Sequence, residues 1–203
     1  MKLRTAAIAA LAACAIACGQ AGANKPFSAK ERSIINDSDT VMYVTVMPKD
    51  SAVLRAVSTD LTHRQLRSPE LRTLAAKMLA TVQDPSQDGV GIAAPQVGIN
   101  KRVICVQRFD KAGEPFEVYC NIHIDTLLGP VKSGREGCLS VPGKYGSVRR
   151  HQTAVIRYVE PETLVQRTDT IHDFTAVIFQ HECDHLDGVL YIDKADSLWL
   201  STE

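Results

Sequence analysis

The amino-acid sequence predicts one domain of the α+β class, and three observations support this prediction. Several short segments rich in β-branched residues are separated by turns, one apolar stripe at helical spacing lies early in the chain, and another lies near its end. The chain has 203 residues, of which 45% are hydrophobic, enough for a single buried core. We find no internal repeat, and this mixture of elements is typical of α+β architecture.

The predicted elements follow in order along the chain. The first helix is expected to begin after Ser68, a capping residue followed by proline, and to continue to about Val82. The last helix is predicted to run from a capping Asp173 to about Asp187, with Gly188 after its end. Strands are predicted at residues 40–46, 102–107, 117–121, 154–159 and 164–167.

Charge and hydropathy exclude two classes of protein. The 23 Lys and Arg residues balance 23 Asp and Glu residues, so no broad basic face for nucleic acid is predicted. No apolar run reaches the roughly 20 residues that cross a bilayer as a helix.

The amino-terminal segment differs from the rest of the chain. A cationic start at residues 1–4 is followed by apolar or small residues up to position 18, which is the layout of a secretory signal. Cys14 and Cys18 each end a lipobox-like sequence, so we expect a lipoprotein signal peptide at residues 1–18, with Cys18 slightly favoured as the lipidated residue. An ordinary cleaved signal or a misassigned start codon is the alternative. Polar residues 19–39 are predicted to be a flexible tether, followed by a single folded domain at 40–203.

A short motif near the end of the chain contains HExxH. On a helix, His181 and His185 project from one face and can bind the same ion, whereas Glu182 is turned by about 100° and can reach a water molecule without being a ligand. A chance match on a surface helix is the alternative. Tyr191 stands where a metzincin has its third histidine, and no glutamate helix of the thermolysin type follows, which weakens the metallopeptidase interpretation.

Cys138, within the sequence EGCLS, is the candidate for a third ligand. One thiolate and two imidazoles form a tetrahedral set that leaves one position open. The sulfur favours Fe(II), Co(II), Ni(II) or Zn(II). A buried free thiol is the alternative interpretation of this cysteine.

A third segment is rich in glycine, which permits close approach of the backbone to a ligand or an adjacent strand. The three segments, GVGIAAPQ at 89–96, EGCLS at 136–140 and HECDH at 181–185, resemble the three motifs of the peptide deformylase family. The resemblance extends over roughly residues 46–193, with Ile92 where leucine is usual. It implies an α+β fold in which antiparallel β-sheets pack around a central HExxH helix.

The resemblance also implies a metal-dependent hydrolase that removes the formyl group from N-formyl-methionyl peptides by attack of metal-bound water. Its ligands would be Cys138, His181 and His185 on one divalent ion, with Fe(II) as the family's usual ion and Zn, Ni or Co as alternatives. Glu182 would act as general acid and base, and Gln96 and the backbone N–H of Leu139 would stabilise the oxyanion. The residues implied to line the substrate are Val90, Gly91, Val177 and Ile178.

Two other functions are weighed against this one. The first is a metallopeptidase, and the second is a non-catalytic lipoprotein that binds formyl peptides. Glu182 argues against the second, because a binding protein does not need a proton carrier.

Three further expectations concern individual residues. From charge and family position, Glu136 could pair with Arg150 and brace the Cys138 loop; pairing with other charges at the surface is the alternative. Tyr145 stands where some family members have a substrate-binding arginine. If the first hairpin turns at 112–113, Cys105 and Cys120 lie opposite each other and could form a disulfide; two buried thiols are the alternative.

The signal-like start predicts a bacterial cell-envelope protein, periplasmic or anchored to the membrane by a lipid. The chain also ends at Glu203 without the long C-terminal helix of many Gram-negative members, which in some of them contacts the ribosome. We therefore expect formyl-methionyl peptides, rather than ribosome-bound nascent chains, to be its partners.

Overall fold

The computed structural model describes residues 24–87 and 89–201, so the predicted signal peptide lies outside the described residues. The α-helices of this part are α1 (Ala29–Ile35), α2 (Ser51–Leu54), α3 (His63–Leu66), α4 (Pro69–Val82) and α5 (Asp173–Leu186), with 3-10 turns at Ala94–Val97 and Tyr191–Asp193. The strands are β1 (Gly91–Ala93), β2 (Val103–Gln107), β3 (Phe116–Gly137), β4 (Lys144–Val159), β5 (Gln166–His172) and β6 (Ala195–Leu200). None of the helices described here has the length and apolar character needed to cross a membrane.

One antiparallel sheet joins all six strands. Its order is β1-β2-β3-β4-β5, and β6 pairs with β4 as well. β3 and β4 pair from Cys120 opposite Val159 to Gly137 opposite Tyr145. On the other edge of β4, residues 144–148 pair with β6 and residues 153–159 pair with β5. The predicted α+β class with an antiparallel sheet is confirmed.

Helices α4 and α5 cover opposite faces of the β1–β2 part of the sheet. Val103 and Cys105 of β2 belong to the apolar cluster of α4, whereas Ile104 and Val106 belong to the cluster of α5. Successive side chains of a strand point to opposite faces, so a strand covered on both sides is a continuous apolar run. This part of the sheet is therefore a rigid support for the last helix.

Helix α4 forms as the sequence predicts. The Ser68 hydroxyl accepts a hydrogen bond from the Leu71 N–H at 3.2 Å, and Pro69 occupies the first helical position. The apolar stripe is buried against the sheet, and its buried members are Leu71, Leu74, Met78 and Val82.

The two predicted hairpins are also present, but three of their four strands are longer than predicted, whereas β2 is one residue shorter. β3 has 22 residues and β4 has 16. The second half of β3, from position 125 to 135, is exposed and contains Gly129, Pro130 and Gly134, so local propensity gives no strand signal there. Register shifts between 120 and 131 interrupt the ladder, as β-bulges do where a strand bends.

The prediction of a strand at residues 40–46 is wrong. This segment forms no ladder, and its hydrogen bonds, together with that of the next residue, reach α4, the 3-10 turn and the loop after β3. The N–H groups of Met42, Thr45 and Met47 donate to Thr81 Oγ1, Gln96 O and Ser140 O at 2.8, 2.8 and 2.9 Å. Only Met42 and Thr45 of this segment are buried, and the segment does not extend the sheet.

The tether predicted at residues 19–39 is wrong for its described part, residues 24–39. Ser28 begins α1 with a capping box, and Phe27 and Ile35 are buried in the core. Lys77 of α4 donates from Nζ to the carbonyl oxygens of Ile35 and Asp37 at 3.3 and 3.0 Å, which satisfies the end of α1. Polar composition concealed this short docked helix.

The predicted start of the last helix is off by one residue. Asp173 is its first residue, with a φ of 51°, and His172 takes the capping position without a side-chain hydrogen bond. The helix ends at Leu186 and Gly188 follows with a φ of 73°, as predicted for the residue past the end.

The expected cross-strand pairing of Cys105 with Cys120 does not occur. Cys105 lies opposite Val118, and Cys120 lies opposite Val103, because the turn is centred one residue earlier than assumed. Both cysteines are free and buried among apolar side chains. The alternative of two buried thiols is therefore the correct one.

Candidate metal centre

Three ligand atoms converge where α5 passes the loop after β3. His181 and His185 lie four residues apart on α5, so their rings project from one face of the helix. Cys138 directly follows β3, which ends at Gly137. One ligand atom from each residue lies within 4.8 Å of the other two, and Cys138 Sγ is 3.2 Å from His185 Nε2. The structure thus brings together the three residues predicted to bind metal.

The chemistry of these donors fits a divalent metal ion. Burial alone would raise the pKa of the Cys138 thiol, but the charge of His185 and hydrogen bonds from both imidazoles outweigh it and hold the pKa well below the ordinary value. A thiolate with two imidazoles is a common tetrahedral donor set with one open position.

A buried ion pair holds His181 in place. The Arg150 guanidinium donates to both carboxylate oxygens of Glu136 at 2.7 and 2.9 Å, as predicted, and to Asp184 at 2.6 Å. Although burial acts to raise it, the pKa of Glu136 is lowered to about 2 by Arg150 and His181. An ionised Glu136 can only accept, so the contact of 2.8 Å requires a proton on His181 Nδ1 and leaves Nε2 free for a metal.

Glu182 is a buried carboxylate without a strong partner. Its side chain is nearly inaccessible, and Oε2 has no hydrogen-bond partner among the described residues. Burial raises the pKa of Glu182 to about 7. The group can therefore carry or release a proton near neutral pH.

Gly91 permits this position of Glu182. A Cβ atom at residue 91 would lie 2.5 Å from Glu182 Oε1 and 2.9 Å from Ile178 Cγ2, much closer than real contacts. The glycine of β1 is thus required by the close approach of α5, not by a turn.

Gln96 presents a donor to the same place. Its Oε1 accepts the Ala93 N–H at 2.8 Å, so Nε2 is directed to Cys138 Sγ at 3.6 Å and Ser140 Oγ at 3.3 Å. The Leu139 N–H donates to no backbone acceptor within the described part of the chain. Two N–H donors thus belong to residues at the edge of the metal centre.

A cavity of about 550 Å³ opens beside these groups. All four residues predicted to line the substrate contribute to its wall, which also includes Gln96, Cys138, Leu139, His181 and Glu182. A separate cavity of about 460 Å³ lies behind α5, beside Cys183 and Asp184, and none of the three ligands lines it.

Sequence reasoning missed two contacts at this centre. The Tyr191 ring stacks on His181 with centroids 6.1 Å apart, and its hydroxyl donates to the Lys144 carbonyl at 2.9 Å. Arg135 lies over the Tyr145 ring at the cavity wall, 3.7 Å from its centroid. The only sequence signal for Arg135 is its position just before the EGCLS motif.

Comparisons with known proteins agree with this geometry. A family model described as polypeptide deformylase matches residues 41–199. The peptide deformylase of Leptospira biflexa is 35% identical over 71% of this chain and 83% of its own, and that of Desulforudis audaxviator is 39% identical over 67% and 84%. Among solved structures, a Met-Ala-Ser-bound class I type b peptide deformylase from Acinetobacter baumannii has a TM-score of 0.68 at 34% identity, covering 76% of this chain and 98% of that one. An actinonin-bound peptide deformylase from Synechococcus elongatus has a TM-score of 0.68 at 31% identity, covering 79% and 82%.

Proposed function

The chain belongs to the polypeptide deformylase family, and from this premise we propose that it holds its divalent metal ion with Cys138, His181 and His185. The protein is a metal-dependent hydrolase that removes the formyl group from N-formyl-methionyl peptides. The observation that supports this ligand set is the convergence of one sulfur and two imidazole nitrogens within 4.8 Å.

When bound, the ion supplies Lewis-acid chemistry, which lowers the pKa of water and stabilises negative charge on oxygen. The sulfur of Cys138 suits Fe(II), Co(II), Ni(II) and Zn(II), and we propose Fe(II) as the native ion because the family usually carries it. Metal analysis of protein purified without oxygen tests this choice, and zinc at one equivalent without iron would contradict it.

Glu182 is proposed to carry the proton of the reaction. A carboxylate with a pKa of about 7 and a free Oε2 can take a proton from the attacking water. The water oxygen then bonds to the formyl carbon. As the carbon–nitrogen bond breaks, Glu182 returns the proton to the leaving amine, so the products are formate and a peptide with a free amino terminus.

Gln96 Nε2 and the Leu139 N–H are proposed to donate to the formyl oxygen as it becomes negative. Fixed donors of this kind need no reorganisation during the reaction, and losing one typically costs about 10²–10³ in kcat. The hydrogen bond from Ala93 to Gln96 Oε1 fixes which end of the amide faces the substrate.

The cavity wall is proposed to select the substrate. Apolar side chains of Val90, Val177 and Ile178 offer a surface for the methionine side chain, and Gly91 lets the backbone approach the peptide. The formyl carbon carries only hydrogen, so a confined space beside Glu182 admits it and excludes bulkier acyl groups.

A direct assay tests these roles. Wild-type protein loaded with Fe(II) without oxygen should release formate from formyl-Met-Ala-Ser, and Glu182→Ala should not, although it should bind the same amount of metal. The matched control is Glu162→Gln in an exposed turn, which should remain fully active. Activity of Glu182→Ala close to that of the control would disprove the role of Glu182. Neither the metallopeptidase nor the non-catalytic binding protein is favoured by a specific observation.

We also propose that the protein acts in the bacterial cell envelope, anchored through a lipid on Cys14 or Cys18. The support is the cationic start and the apolar residues up to position 18, which lie outside the described residues. Palmitate labelling of wild type, Cys14→Ser and Cys18→Ser should show one cysteine to be required, with processing blocked by globomycin. Fractionation of unlabelled native protein into the cytosol would contradict the proposal.

A further inference from the structure

Two basic side chains at the cavity wall have no role in the proposed deformylation. Arg135 and Lys144 are exposed and line the cavity. The two carboxylates among the described lining residues, Glu136 and Glu182, are buried, and Glu136 is paired with Arg150. The exposed charged side chains in the described part of the wall are therefore both basic.

The pairing of β3 with β4 fixes the position of Arg135. Tyr145 lies directly opposite Gly137, and its ring packs on that glycine so closely that a Cβ there would be 2.7 Å from Tyr145 Cε1. Arg135 is two residues before Gly137, on the same face of the strand, so its guanidinium reaches the ring diagonally. The guanidinium lies 3.7 Å from the ring centroid, within the range of a cation–π contact.

Stacking leaves the N–H groups of Arg135 free for a ligand. A guanidinium has five N–H donors around its edge, and its fork matches the two oxygens of a carboxylate. Within the described residues, Arg135 makes no ion pair with an acidic side chain. A held but unpaired cation beside a substrate cavity indicates an anionic group on the substrate.

We propose that Arg135, held by Tyr145 and assisted by Lys144, binds a carboxylate of the substrate a few residues beyond the formyl-methionine. The proposal rests on the deformylase function above and adds a preference among its substrates. Arg135 precedes Cys138 by three residues, about 10 Å of extended chain. An extended peptide covers that length in about three residues, so a formyl tripeptide is long enough for its α-carboxylate to reach Arg135.

The carboxylate can come from a free carboxyl terminus or from an acidic side chain. Both offer two oxygens to the guanidinium, and substrates that differ only in this group separate them. Formyl-Met-Ala-Ser is compared with its carboxyl-terminal amide, and formyl-Met-Ala-Glu amide is compared with formyl-Met-Ala-Gln amide.

Steady-state kinetics of the metal-loaded full-length protein test the proposal. At low salt, the wild type should have a KM about fivefold lower for the acid than for the amide, near the upper range of an exposed ion pair, with similar kcat. In Arg135→Ala the ratio should fall towards one, and Tyr145→Leu should lower it because the guanidinium is no longer held. Lys132→Ala is the matched control, since this exposed residue lies on the same strand outside the cavity and should keep the wild-type ratio.

A binding measurement gives a second readout that does not depend on turnover. By calorimetry, the product Met-Ala-Ser should bind more tightly than its amide to wild type, but not to Arg135→Ala, and the difference should shrink as salt rises. Equal KM for acids and amides in wild type, or an unchanged ratio in Arg135→Ala, overturns the proposal. Failure to release formate from any of the four peptides would instead disprove the deformylase function itself.

Discussion

Replacing Arg150 with alanine should weaken both the fold and the metal centre. The guanidinium donates to both oxygens of Glu136 at 2.7 and 2.9 Å and to Asp184 at 2.6 Å. Without it, the Glu136 carboxylate stays buried with His181 Nδ1–H as its remaining donor, whereas Asp184 keeps a contact of 2.6 Å with Lys194. Glu136 is therefore the carboxylate that loses most of its hydrogen-bond donors in Arg150→Ala.

The size of the effect follows from the burial of this ion pair. Removing one partner of a buried ion pair typically costs about 3–5 kcal/mol. A pKa of about 2 for Glu136 against an ordinary 4.5 corresponds to about 3 kcal/mol of stability, which Arg150 shares with His181 and which is therefore an upper limit for the part that Arg150 supplies through this pKa. For a domain of this size, the melting temperature should fall by roughly 6–20 °C. Because Glu136 orients His181, the metal dissociation constant should rise by about 10–100-fold.

The effect should also depend on pH in a defined direction. The pKa of Glu136 is depressed in the folded state, so its stabilisation is present above pH 4.5 and is lost as pH falls towards 2. The difference in unfolding free energy between wild type and Arg150→Ala should therefore be largest near pH 7 and shrink below about pH 4.5.

Urea denaturation of metal-free protein and titration with Zn(II) measure the two quantities. Arg149→Ala is the matched control, because this neighbouring arginine is exposed and pairs with Asp196 at the surface. It should change stability by less than about 1 kcal/mol. If Arg150→Ala behaves like this control in both measurements, the buried pair does not brace the centre.

Three further predictions concern the catalytic residues and the thiols. Glu182→Gln should lower kcat by about 10²–10⁴ with unchanged metal content, measured by formate release and metal analysis, and a loss below tenfold would refute its proton role. Gly91→Ala should lower both kcat and the urea midpoint of unfolding, because the added methyl group would lie 2.5 Å from Glu182 Oε1. A wild-type kcat in this variant would show that the close approach is unnecessary. Alkylation followed by mass spectrometry should find Cys105 and Cys120 as free thiols that react only after unfolding, and a mass two units lower that returns on reduction would contradict the observed register.

Features set by neighbours in sequence were predictable. Helix α4 begins directly after Ser68 and buries the expected stripe because capping and helical spacing are local properties. The histidine pair was predictable for the same reason, since residues four apart share a helix face whatever the fold around them. Both kinds of signal lie within a few residues.

Features set by distant contacts were not predictable. Residues 40–46 have strand composition, yet the N–H groups of Met42 and Thr45 bond to Thr81 and Gln96, which are far away in sequence. The Cys105–Cys120 pairing failed because a shift of one residue in the centre of the turn moves every cross-strand pair by two. The second half of β3 could not be recognised from the sequence, because its exposed residues show no periodic pattern of apolar side chains.

The metal centre also combines features set by sequence neighbours with features set by distant contacts. HExxH specifies two of the proposed ligands by spacing, but the donor set is complete only because β3, after its bulges, brings Cys138 to α5. That same strand places Arg135 on Tyr145, and the ring can lie there because residue 137 has no side chain. Gly137 of the EGCLS motif thus leaves room for the Tyr145 ring on the opposite strand, and it directly precedes Cys138. A bulkier residue at 137 should therefore displace Arg135 from the cavity wall and also disturb the Cys138 loop. A single substitution in β3 should thus change both substrate preference and metal binding.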